Sequence, residues 1–155
     1  MVNSVGGVQQ PAAGDRYPAV IVHGLRDARL ALSEGLPVTL LSAPGAALYA
    51  GCGWWRVLVR QARATFPAVP LTDVLDCGDG SGQALAALRI GQQRLVLAPG
   101  APGWDAVAAI AAERGGEVLT SAPPALDVSQ RGAILRLQNW LQMRTTPGDN
   151  APPME

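Results

Sequence analysis

Lysine is absent from this chain of 155 residues, and histidine occurs once, at His23. All 12 basic residues are arginine. No Schiff base can form through a lysine, and no P-loop lysine can reach a terminal phosphate. One histidine cannot build a multi-histidine metal centre. Cys52 and Cys77, the two cysteines, lie far from each other and from His23 and lack the close ligand pairs of zinc sites. Codon usage in a GC-rich genome would account for the missing lysine, together with the abundance of Ala, Gly and Pro. The chemical exclusions hold regardless.

Charge is also scarce. Charged residues make up 15% of the chain, 12 basic against 12 acidic, so the net charge is zero. Such a chain has no general electrostatic reason to seek nucleic acid or an anionic membrane. No apolar run approaches the length of a membrane span. MVNSVGGVQQPAAGDR has neither a charged n-region nor an apolar h-region, so a secretory signal is not expected there. These absences place the protein in the cytoplasm, with both cysteines as reduced thiols.

What is present favours a folded domain. Hydrophobic residues make up 48%, and Gly 18 with Pro 13 implies many sharp connections. The length fits one domain with a real core. Residues 1–16 read as a flexible N-terminal arm, 17–144 as a single α/β domain and 145–155 as a disordered C-terminal tail.

Within the domain, short apolar runs alternate with helical patterns. Strands are expected at 19–24, 37–43, 71–77, 94–100 and 117–122. Helices are expected at 25–35, 46–66, 82–91, 104–116 and 127–144, the last with Asp127 and Gln130 spaced like a capping box. The strands are continuous apolar runs, as burial on two faces requires. The reading is a three-layer α/β/α, doubly wound, mainly parallel five-stranded sheet of flavodoxin- or Rossmann-like kind. Five strands are too few for a complete (β/α)₈ barrel. TLLSAPGAA, LVLAPGAPG and VLTSAPPAL each end an apolar run with a small residue and a proline, the exit turn that every such strand needs.

In an open parallel sheet, ligands bind beyond the carboxyl ends of the strands. The residues expected there are Gly24, Gly45, Asp76, Gly78, Asp79, Gly80, Ser81 and Gly82. The loop LDCGDGSG at 75–82 could let its backbone approach a ligand, with the next helix start offering amides to an anion. Its spacing is G-x-G-x-G, not the dinucleotide fingerprint, and it follows the third strand rather than the first. As a purely structural turn, Asp79 or Ser81 would cap the helix instead. Asp76 and Asp79 could also hold magnesium with a substrate phosphate. This aspartate pair resembles that of haloacid-dehalogenase-like phosphatases only superficially, because that family's pair follows the first strand and works with a lysine.

His23, Ser42 and Cys77 are the catalytic candidates. His23 ends the first strand and carries an imidazole, the side chain suited to proton transfer near neutral pH, with Asp27 four residues on to orient it. Ser42 ends the second strand, where a nucleophile could sit. Cys77 stands at a strand end, although a buried, inert thiol is the ordinary alternative. Gly51-Cys52-Gly53-Trp54 is similar to the Cys-Gly-Ser-Cys-Trp of papain-like proteases, but the downstream histidine those enzymes use is missing.

Trp54 and Trp55 open a helix with Arg56, Arg60 and Arg63 along one stripe. Trp54, Trp55, Arg56 and Arg60 are the expected interface, for a partner or for a second copy in a homodimer. Trp140 and Leu141 offer a second docking face. The leading expectation is a domain binding a small ligand, phosphorylated or nucleotide-like, at the C-terminal edge of its sheet. The alternatives are a scaffold docking through the Trp/Arg helix and a small hydrolase or transferase using His23. No cofactor is indicated by any motif.

Overall fold

The computed structural model describes residues 16–143. The expected tail and all but Arg16 of the expected arm lie outside them. The described chain runs β1 (Ala19–Val22), α1 (Leu25–Leu32), β2 (Val38–Ser42), α2 (Ala46–Tyr49), α3 (Cys52–Thr65), β3 (Leu71–Asp76), α4 (Ser81–Arg89), β4 (Arg94–Val96), α5 (Trp104–Glu113), β5 (Glu117–Leu119), β6 (Ala125–Asp127) and α6 (Ala133–Gln142). The strands form one sheet in the order β5-β4-β3-β2-β1-β6, and every described pairing is parallel. A parallel sheet alternating with helices, of Rossmann- or flavodoxin-like class, is therefore the fold. No helix among the described residues is long and apolar enough to cross a membrane.

Three local expectations need correction. The sheet has six strands, not five, because Ala-Leu-Asp at 125–127 pairs with β1. Asp127 accordingly ends a strand and does not cap the last helix, which starts after Gly132. The expected long helix over 46–66 is two helices, interrupted at Ala50-Gly51.

The register explains the core. Val20 lies beside Leu40 and Leu126, and Leu75 beside Leu95, so these side chains share one face of the sheet. They join one large cluster with Ala28 and Leu32 of α1, Trp55 and Leu58 of α3, Leu88 of α4, Val107 of α5 and Leu137 of α6. The other face carries a smaller cluster of Leu41, Val74 and Val96, packed by Ile21, Leu119 and Ala125. All of these are strand residues. The described helices contribute to the first cluster, and the second is made of strand residues.

Connectivity constrains the shape of the sheet. β5 and β6 are the two edges of the sheet, yet only residues 120–124 join them. Six flat strands would put the edges about 24 Å apart. Six Cα steps reach at most about 22 Å, and they must also return from the C-terminal to the N-terminal end of the sheet. The sheet is therefore not flat. Arg16, just before β1, bonds Glu117 on β5 at 3.4 Å, which a flat sheet would not permit.

Candidate functional site

Parallel pairing brings the exits of all six strands to one rim, and hydrogen bonds there divide the expected residues into two groups. At the β2 and β3 exits, Asp76 is the organiser. Its Oδ1 accepts the backbone N–H of Gly78 at 2.8 Å and of Gly45 at 3.1 Å. Its own amide donates to Ser42 Oγ at 2.9 Å, and the Ser42 hydroxyl donates to the Ala43 carbonyl at 3.2 Å. Both residues are buried. Each is committed to tying one exit loop to the next.

The loop LDCGDGSG is closed in the same way. The Cys77 amide bonds Val96, the Gly78 amide bonds Asp76, and the Gly80 amide bonds Cys77. These N–H groups face protein acceptors. Above them sits Leu48 of α2, so close that a Cβ on Gly80 would collide with it and with Gln83. A side chain here would require Leu48 and Gln83 to move aside. Neither Asp79 nor Ser81 caps α4; the N-cap is Gly80, and the Ser81 hydroxyl donates instead to the Pro102 carbonyl. Asp79 and Gly82 are exposed.

Ser42 and Cys77, the candidates at these exits, are both placed inside the fold. Ser42 does not reach solvent, and Cys77 is fully buried. Burial pushes the Cys77 thiol up to about 12, with the Asp76 charge and Cys52 adding to the effect. A thiol that stays protonated is no nucleophile at neutral pH.

His23 belongs to the second group. It directly follows β1, beside β6, and its imidazole remains 41% exposed. Nε2 lies 2.9 Å from Asp127 Oδ1 and 3.2 Å from Ser129 Oγ. The Ser129 hydroxyl donates to the same Oδ1 at 2.7 Å, and the Ser129 amide does so at 2.9 Å. Both neighbours of Nε2 are therefore acceptors towards the ring, which assigns the neutral imidazole's proton to Nε2 and leaves the Nδ1 lone pair. Partial burial alone would raise the Asp127 pKa. The hydroxyl and amide of Ser129, with His23, outweigh it and hold the carboxyl below its ordinary 3.8.

Asp27 has a different role from the one expected. Its carboxylate accepts the backbone N–H of His23 at 2.9 Å and so fixes the entry into α1. Gly24 is the N-cap of that helix. Asp127 and Ser129 were not foreseen as partners of His23. The available signal was the short apolar run ALDV after two prolines, with D-x-S forming a turn at its end.

The Trp/Arg helix also divides. Trp55 has no exposed surface, and its indole N–H donates to Asp73 Oδ2 at 2.9 Å, so it is withdrawn from the expected interface. Trp54 is half-buried, its ring 5.8 Å from that of Trp55 and packed on the same core. Arg56 and Arg60 are exposed, and they lie towards the opposite end of the sheet from His23. Among the described residues, no group of three or more His, Cys, Asp and Glu could hold a metal ion. The sequence matches no model of a known protein family and no curated protein.

Proposed function

We propose that the protein is a small-ligand-binding α/β domain whose site is the C-terminal rim of its sheet, centred on His23, Asp127 and Ser129. One observation carries the reading: His23 is oriented through Nε2 by a carboxylate and a hydroxyl, yet its ring is exposed and its Nδ1 makes no described hydrogen bond. The place fits the general rule for open parallel sheets. It lies beyond the carboxyl ends of the adjacent parallel strands β1 and β6, where ligands of such sheets bind. A ligand with a hydroxyl, amide or acidic N–H would donate to Nδ1. The proposal includes a cytoplasmic setting, in which Cys52 and Cys77 stay thiols.

The test is the melting temperature of the wild type and of His23→Ala across a broad panel of metabolites. At least one compound should raise the wild-type value saturably and lose its effect in the variant. If no compound shifts the wild type, or the shift survives in His23→Ala, the reading fails.

A second reading, partner docking or self-association, now rests on α6 rather than on the tryptophan pair. Ile134 is 59% exposed and Leu135 87% exposed, next to each other on that helix. Leu135→Asp should abolish any self-association seen by sedimentation; a wild type that sediments as a monomer and retains no partner removes this reading.

A further inference from the structure

At the other end of the sheet, a cavity of about 560 Å³ lies between α3, the start of β3 and the connection from α4 to β4. Its size is within the range of small-molecule sites. Its charge is one-sided. Arg56, Arg60, Arg63 and Arg94 line it against Asp73 alone, four positive groups minus one negative, or +3 in a chain whose net charge is zero.

The spacing of four and three along α3 puts the first three arginines on one face of the helix. Their commitments differ. Arg63 donates to the Leu71 carbonyl at 2.8 Å and lies 3.6 Å from Asp73 Oδ1. Arg94 reaches Glu117 at 4.0 Å. Arg56 and Arg60 have no hydrogen bond or ion pair with any described residue. The single acid cannot serve them, because Asp73 Oδ2 already accepts the Trp55 indole and the Gln92 amide, and Oδ1 faces Arg63.

The wall makes room for the Arg56 guanidinium. Gly91 has a φ of +95°, and a Cβ there would approach Arg56 Nη1 to 3.0 Å. Two unpaired guanidinium groups, one helical turn apart over a concave wall, match an anion with several oxygens better than a point charge. We infer that this cavity is a second binding site, for the phosphate end of a small phosphorylated molecule, with Arg56 and Arg60 as its ligand contacts. The site is independent of His23, which stands at the opposite ends of the strands.

Isothermal titration calorimetry with inorganic pyrophosphate at constant ionic strength tests the inference. The wild type should bind it saturably. Arg56→Ala/Arg60→Ala should weaken binding at least tenfold, while Arg89→Ala, outside the cavity, and His23→Ala should leave it within twofold. Far-UV circular dichroism of the double variant should match the wild type, since both side chains are exposed and unpaired. The inference is overturned by an absence of saturable binding, by equal binding in the double variant, or by tighter saturable binding of a duplex oligonucleotide than of pyrophosphate.

Discussion

Asp76 shows how a residue at the ligand-binding edge of a fold can tie its own loops together. One oxygen of its carboxylate receives two loop amides, and its own amide is held by Ser42. Asp76→Ala would leave the Gly45 and Gly78 N–H groups without their acceptor, at a cost of about 2 kcal/mol in stability. Urea unfolding should show that loss as a lower midpoint at unchanged slope. Cys77, beside it, is silenced by burial, which raises its thiol to about 12. A thiol reagent at neutral pH should therefore leave Cys77 unmodified in the native protein and label it after unfolding in urea, as peptide mass mapping would show. Labelling of native Cys77 as fast as in urea would contradict this account of the loop.

At the level of elements, the edge strand β6 is held by side chains as much as by its ladder. It has three residues, and its last, Asp127, gathers Ser129 and His23. The carboxyl is depressed in the folded state, so it contributes stability above its unfolded value near 3.8. That contribution is lost as pH falls from there through the lower folded value. Asp127→Asn should accordingly flatten the fall of stability with pH over this acid window, which thermal melts between pH 5 and pH 2 would reveal. The same element shows where sequence reading stops. Four expected strands, β1 to β4, were legible because each is an apolar run between turn residues, and β5 because a glycine pair precedes it. β6 offers only Ala-Leu-Asp, too short to show a period, and its pairing with β1 spans more than a hundred residues. The interruption at Ala50-Gly51 was hidden for a similar reason, since the apolar pattern continues across it. His23 could be chosen from sequence as the lone imidazole at a strand end, but its partners depend on that unseen strand.

The whole molecule has two ends with different chemistry. The succession from β1 to β5 moves steadily in one direction across the sheet. The return then brings β6 beside β1. The C-terminal rim so formed holds a histidine anchored on one nitrogen, and the N-terminal end holds two unpaired arginines. A net charge of zero conceals this polarity, and arginine spacing alone could not distinguish a cavity wall from a protein interface. Because the two sites share no residue, a ligand at one should bind with the same affinity whether or not the other is mutated.

His23 is the sole histidine, so its imidazole gives a single pair of ¹⁵N resonances, and these report on the proposed rim site without ambiguity. Recorded across a metabolite panel on the neutral ring, they should show Nε2 carrying the proton and Nδ1 shifting saturably with at least one compound. A proton found on Nδ1, or resonances that no compound moves, would contradict the account.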